Sequence, residues 1–136
     1  MPNKTILVVD DDPDIRQGMY VRLKANNYDV CFAADALSSM TEARKHEPDL
    51  IILDLGLPAG DGFVVMDRLK TVPSLAVIPV IVVSGRTGPA NRVRALKAGA
   101  KAFLEKPVDN AELLAVIRQA LGEPSAAGGM SEEARF

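Results

Sequence analysis

Every residue of this chain with chemical potential follows a short apolar run. Asp10, Asp11 and Asp12 come after residues 5–9, Asp54 after 50–53, Ser84 after 78–83, and Glu105 and Lys106 after 102–104. If these runs are strands of one parallel sheet, their C-terminal ends share an edge and the residues meet there. Three carboxylates in one small crevice repel, and water alone screens them poorly. A hard divalent cation, Mg²⁺ or Mn²⁺, makes sense of the arrangement: Mg²⁺ accepts a few carboxylate oxygens, a backbone carbonyl and several waters. Lys106 adds a compact, mobile positive charge suited to a carboxylate or phosphate oxygen. A carboxylate beside a cation, a lysine and a hydroxyl has the parts for accepting a phosphoryl group. The cation and Lys106 would neutralise charge on the transferring oxygens while the aspartate attacks. The plainer reading of the acids is helix capping. It is preferred for Asp12, which precedes Pro13, but it does not account for Asp10, Asp11, Asp54 and Lys106 together.

The elements that must position these residues are legible as five apolar runs, at 5–9, 30–34, 50–53, 78–83 and 102–104. The first, third and fourth are almost uninterrupted Ile, Leu and Val, which suits strands buried on both faces. Helical spacing fills the gaps: Ile15, Met19 and Leu23 share a face, as do Leu113, Ile117 and Leu121, with Leu114 beside them. Arg16, Lys24 and Arg118 fall elsewhere on the wheel, facing solvent. Asp12-Pro13 is a helix start, Asn26-Asn27 a stop, Pro48 another, and Gly99 a left-handed C-cap. Asp109-Asn110-Ala111-Glu112 has the form of a capping box with Asp at its head. Five β-α repeats predict a three-layer α/β sandwich with its ligand site at the C-terminal strand ends.

Composition bounds the function. At 136 residues, with 48% apolar and 25% charged residues, the chain is long enough for one buried core and fits one domain. The single Cys31 excludes an internal disulfide and reads as core filler. The single His46 excludes a multi-His metal centre; just before Glu47-Pro48 it reads as a surface residue at a helix C-terminus. No Trp and a net charge of −2 argue against binding of single-stranded nucleic acid. No signal peptide or membrane-spanning run is expected, which points to a cytoplasmic setting. The domain is expected over residues 1–122, and 123–136, with its Pro-Ser-Ala-Ala-Gly-Gly stretch, reads as a flexible tail or linker stub.

Four motifs in order carry a resemblance: Ile6-Leu7-Val8-Val9-Asp10-Asp11-Asp12, Asp54-Leu55-Gly56-Leu57-Pro58-Ala59-Gly60-Asp61-Gly62, Val82-Val83-Ser84-Gly85 and Glu105-Lys106-Pro107. Over residues 4–121 the chain resembles a response-regulator receiver domain of the CheY-like superfamily. The resemblance implies a flavodoxin-like (βα)5 sandwich with sheet order 2-1-3-4-5, an order for which this family is a standard example. It implies that Asp54 is the phosphoacceptor and that Asp11 ligates the metal directly, with Asp10 acting mainly through water. Asp54 and the backbone carbonyl of Gly56 would complete the protein's share of the metal shell. Lys106 would contact the phosphoryl group, with a cis bond to Pro107. Ser84 would move toward the phosphate, Phe103 would rotate inward, and Gly85 would leave room for that approach. Gly56 and Arg86 stand at positions that tune phosphoryl lifetime in the family.

The resemblance also implies partners. A sensor histidine kinase or histidine phosphotransfer protein would donate to Asp54, and a downstream protein would read the face built from the fourth expected helix, the fifth strand and the last helix. Arg92, Arg94, Lys97 and Lys101 would lie on that face, although a merely solvated helix face is the simpler account of such a charge run. DNA-binding relatives that dimerise there carry paired acids where this chain has Lys101 and Ala102, and an arginine where it has Val116. A monomer or weak dimer of another kind is therefore expected, without direct nucleic-acid binding. Two other function classes stand beside the phospho-switch. An aspartyl-phosphate phosphatase needs a second acid two residues after the nucleophile, where this chain has Gly56. A phosphorylation-independent docking module would not need the Asp10, Asp11, Asp54, Ser84 and Lys106 set.

Overall fold

The computed structural model describes residues 3–57, 62–85 and 89–124. Pro58 to Asp61, Arg86 and residues 125–136 lie outside the described residues. β1 (Thr5–Val9), β2 (Asp29–Ala33), β3 (Leu50–Leu53), β4 (Val80–Ser84) and β5 (Ala102–Glu105) alternate with α1 (Pro13–Ala25), α2 (Ala36–His46), α3 (Gly62–Lys70), α4 (Pro73–Ala76), α5 (Pro89–Lys97) and α6 (Asn110–Leu121). The strands form one parallel sheet in the order β2-β1-β3-β4-β5, as expected.

Burial explains why the runs differ. The three central strands are buried nearly throughout, whereas β2 and β5 at the edges carry exposed and partly exposed residues. Side chains leave the sheet on two sides and build two cores. Ile6, Val8, Leu50, Ile52 and Ile81 meet Met19 and Leu23 of α1 and Leu113 and Ile117 of α6. Leu7, Val9, Ile51, Leu53 and Val82 meet Met40 and Ala43 of α2, Phe63 and Met66 of α3 and Ala95 of α5. Each alternate residue of a strand thus feeds the opposite core.

The helix ends follow side-chain chemistry. Asp12 caps α1 by accepting from the Asp14 N–H, with Pro13 in the first position. Asp109 caps α6 by accepting from the Glu112 N–H, and Gly99 takes the left-handed conformation after α5 at φ 109°. The Asp35–Ser38 capping box of α2 and the short α4 do not stand out in the sequence. Val72-Pro73 starts α4, a single turn between α3 and β4, so the described residues form six helices where five were expected. β4 begins two residues later than its apolar run, because Pro79 has no N–H for the ladder and contributes only its carbonyl, to Ile51.

Two contacts fix the chain at opposite ends of the sheet. The N–H of Gly62 donates to the Leu55 carbonyl at 2.9 Å, and a Cβ there would stand 2.6 Å from the Asp54 carbonyl oxygen. The start of α3 therefore packs backbone to backbone against the residue after β3, and only glycine fits. At the other end of the sheet the Tyr28 hydroxyl donates to Glu123 Oε1 at 2.8 Å. The Glu123 N–H also donates to the Arg118 carbonyl, so this residue, placed in the tail by its sequence, is held to the body. Burial, then the hydrogen bond and charge of Glu123, push the Tyr28 phenol up to about 12.

Gly62→Ala should lower the free energy of unfolding by about 1–3 kcal/mol in urea titrations, since backbone rather than a flexible side chain must move. Between about pH 10 and about 12 the unfolded chain loses the Tyr28 proton and the folded chain keeps it, so stability falls as pH rises through that window. Thermal melts followed by circular dichroism should show Tyr28→Phe losing less stability across the same interval than the wild type.

Candidate functional site

The parallel pairing brings the ends of β1, β3, β4 and β5 to one edge, and the loops there carry the site. Asp10 follows β1; its N–H donates to the Ala33 carbonyl of β2 at 3.1 Å. Asp54 follows β3, and its N–H donates to the Val9 carbonyl at 2.9 Å. The two backbones continue the ladder one step past the strands, which places both carboxylates side by side. Asp10 and Asp54 are buried and Asp11 is exposed, and one carboxylate oxygen from each lies within 4.8 Å of the other two.

Each buried carboxylate has defined partners. Asp10 Oδ1 accepts the Asp12 N–H at 2.9 Å, and Asp10 Oδ2 accepts from Lys106 Nζ at 2.7 Å. Asp54 Oδ1 accepts the Gly56 N–H at 3.1 Å, and its Oδ2 lies 3.5 Å from Lys106 Nζ. Lys106 reaches between them from the end of β5, where its own N–H donates to the Ser84 carbonyl at 3.0 Å. Its bond to Pro107 is cis. Burial pulls the Lys106 ammonium down, but the hydrogen bond and charge of Asp10, then those of Asp54, outweigh it and hold the group above its ordinary range.

Hard oxygen donors at this spacing suit a small divalent cation. Asp10, Asp11 and Asp54 can supply carboxylate oxygens to such an ion, and the exposed Gly56 offers a backbone carbonyl in the same loop. A cation here would offset the mutual repulsion of the acids, which Lys106 offsets only for the two it touches.

The remaining expected residues divide. Ser84 is fully buried at the end of β4 and opposite Glu105 in the register. Phe103 is also buried, at 2% exposure, and the Arg92 guanidinium lies 5.4 Å from its ring centroid. In this arrangement the Phe103 ring lies inside, on the strand beside that of Ser84. A Cβ on Gly85 would meet nothing within 4 Å among the described residues.

The basic residues of α5 are not equivalent. Arg94 stacks on Phe63 of α3 with its guanidinium 3.8 Å from the ring centroid, and Arg92 covers Phe103. Both lend their charge to aromatic faces of the domain itself while staying exposed, as Lys97 and, beyond the helix, Lys101 are. His46 ends α2 and pairs with Glu42 one turn back at 3.1 Å. Cys31 is half-buried against the core, and burial pushes its thiol up to about 11.

One neighbour of the site was not anticipated. Arg16, assigned to the solvent face of α1 by its place on the wheel, turns back and donates from Nη1 to the Asp10 carbonyl at 2.8 Å. Helical side chains lean toward the N-terminus, so a long side chain in the second turn reaches the strand end that precedes its helix. Its distance from Pro13 carried that signal.

The chain is similar to proteins of known architecture and class. Over 127 residues it is 36% identical to the transcriptional regulatory protein KdpE of Mycobacterium tuberculosis, an alignment covering 93% of this chain and 55% of that one. It thus spans about half the length of that relative. Its fold matches a CheY-like response regulator receiver domain protein from Methanospirillum hungatei, with TM-score 0.81 and 30% identity, covering 88% of this chain and 94% of that one. It matches the chemotaxis response regulator CheY4 of Vibrio cholerae with TM-score 0.81 and 28% identity, covering 88% and 99%. Residues 6–118 fit the family described as the response regulator receiver domain. With the acid cluster, the lysine and the 2-1-3-4-5 sheet in place, the chain belongs to the receiver domains of two-component response regulators.

Proposed function

We propose that this receiver domain is a Mg²⁺-dependent phosphoacceptor switch in which Asp54 takes a phosphoryl group from a phosphohistidine of a sensor kinase or phosphotransfer protein. The observation that carries this reading is Lys106 Nζ lying between Asp10 Oδ2 and Asp54 Oδ2, at 2.7 and 3.5 Å, beside a cluster of three carboxylates. Asp11, Asp54 and the Gly56 carbonyl would hold Mg²⁺, with Asp10 acting mainly through water; when bound, the ion supplies positive charge against the transferring oxygens.

The chain's own residues do the rest. The Gly56 N–H holds one Asp54 oxygen, so the carboxylate cannot rotate freely and presents its other oxygen beside Lys106. An Asp54 oxygen forms the new bond to phosphorus as the bond from phosphorus to the imidazole nitrogen breaks, and the imidazole leaves with that electron pair. Lys106 can then shift from the carboxylates to the phosphoryl oxygens without leaving the cleft. Ser84, at the adjacent strand end, is the hydroxyl in reach of such a group after a small movement. A change there bears on Phe103, on the neighbouring strand, and through Arg92 on α5. Coupling of about 1–3 kcal/mol would alter affinity for a downstream protein at the α5-β5-α6 face from severalfold to a hundredfold. As a signalling module, the domain assists its own phosphorylation and the later hydrolysis.

Incubation with acetyl phosphate and Mg²⁺, read by intact-mass spectrometry, should add one phosphoryl group to the wild type. None should appear on Asp54→Asn or when Mg²⁺ is chelated. No adduct on the wild type, together with no Mg²⁺-dependent response to beryllofluoride, would exclude the switch and leave a docking module. Lys106→Met should slow the appearance of the adduct by about a hundredfold, the usual scale for losing one group that stabilises transferring charge. An unchanged rate would remove Lys106 from the reaction.

A further inference from the structure

Asp10 is held at every polar atom it has. Its N–H is taken by Ala33, one carboxylate oxygen by the Asp12 N–H, the other by Lys106, and its carbonyl by Arg16. Three of these partners belong to strand ends or to the acid loop itself. Arg16 is the exception, since it comes from the second turn of α1 and reaches six residues back along the chain. A positive charge in the early turns of a helix is disfavoured by the helix dipole. A guanidinium set there and directed at a backbone carbonyl, when solvent is open on the other side of α1, therefore needs a local return.

The return lies in what the carbonyl controls. The peptide that carries the Asp10 carbonyl also carries the Asp11 N–H, so a hydrogen bond to that oxygen fixes the orientation of the Asp10–Asp11 peptide plane. Asp11 is the exposed member of the three-carboxylate cluster, and no hydrogen bond within the described residues is recorded to its side chain. Its aim at the shared space therefore depends on its own rotamer and on the backbone that carries it. We propose that Arg16 is a positioning residue: by clamping the Asp10 carbonyl it orients the Asp11 carboxylate for the divalent cation, and through it readies Asp54. This inference rests on the proposed reading of the site and assigns Arg16 no contact with the cation or the phosphoryl group.

Geometry and charge predict opposite results for one substitution, which makes the proposal testable. As charge alone, Arg16 opposes a cation nearby, and its removal should tighten binding. As a clamp, its removal should loosen it. Isothermal titration of Mg²⁺ into the full chain, with urea unfolding of the same samples, separates these. Arg16→Gln should weaken Mg²⁺ about tenfold, the lower end of what partners outside the ligand shell contribute. Arg16→Lys, which keeps the charge and one reaching donor, should recover part of that loss. Lys24→Gln, which removes the same charge from the far end of α1, should bind as the wild type does. Arg16→Gln binding Mg²⁺ as tightly as the wild type, or more tightly, would overturn the clamp. So would a loss of affinity that merely follows lost stability in all three variants, and so would a wild type that binds no Mg²⁺. A wild type that binds Mg²⁺ yet accepts no phosphoryl group would instead defeat the phospho-switch and leave the role of Arg16 to be read from affinity.

Discussion

The contact between Lys106 and two buried carboxylates is what the rest of the site depends on. Two ionised acids close together and shielded from water repel one another strongly. One ammonium between them offsets that repulsion, and it is placed there by strand pairing: the Lys106 N–H closes on the Ser84 carbonyl at the end of β4. A parallel sheet makes this possible by bringing residues 96 positions apart to within a hydrogen bond. Removing the lysine leaves buried charge without a partner, a larger penalty than the pair's net gain. The site is therefore poised by repulsion that is only partly cancelled, a setting that favours binding more positive charge.

Much of the fold was legible because burial on both faces demands near-continuous Ile, Leu and Val. That is why β1 and β3 match their apolar runs end to end, and why the acids following them could be placed on one edge. The departures have local physical causes. Pro79 delays β4, and Val72-Pro73 turns a connection into α4. Tertiary reach was less visible. Arg16 and Arg118 both sat on polar faces of their helices, yet one donates to the Asp10 carbonyl and the other to Asn26 Oδ1. A wheel sorts side chains by angle, and it does not show how far a long one leans back along the axis. The Tyr28–Glu123 bond likewise joins residues 95 apart whose types alone suggest a core ring and a tail acid.

The same distinction applies to the basic stretch on α5. As sequence, Arg92, Arg94, Lys97 and Lys101 form one run of positive charge. In space all four are exposed, and the two arginines also lie on aromatic rings of the domain. Arginine suits this use, since its flat, weakly hydrated guanidinium can cover a ring while one edge stays wet. A partner that draws on the charge of Arg92 competes with Phe103 for it, and so touches the interior of the domain without entering it.

α5 has a thin footing. Ala95 is its one fully buried residue among those described, with Ala98 partly buried beside it, while Val93 and Leu96 are 47% and 42% exposed. Its buried apolar footing is thus small side chains beside two arginine–ring contacts, against the Leu, Ile and Met that root α1, α2 and α6. The free energy of detaching such a helix is a small fraction of that for opening the sheet. Two tiers of cooperativity are the expected consequence: the slowest-exchanging amides should belong to the central strands, and those of α5 should exchange through a local opening that leaves the acid cluster and its lysine intact.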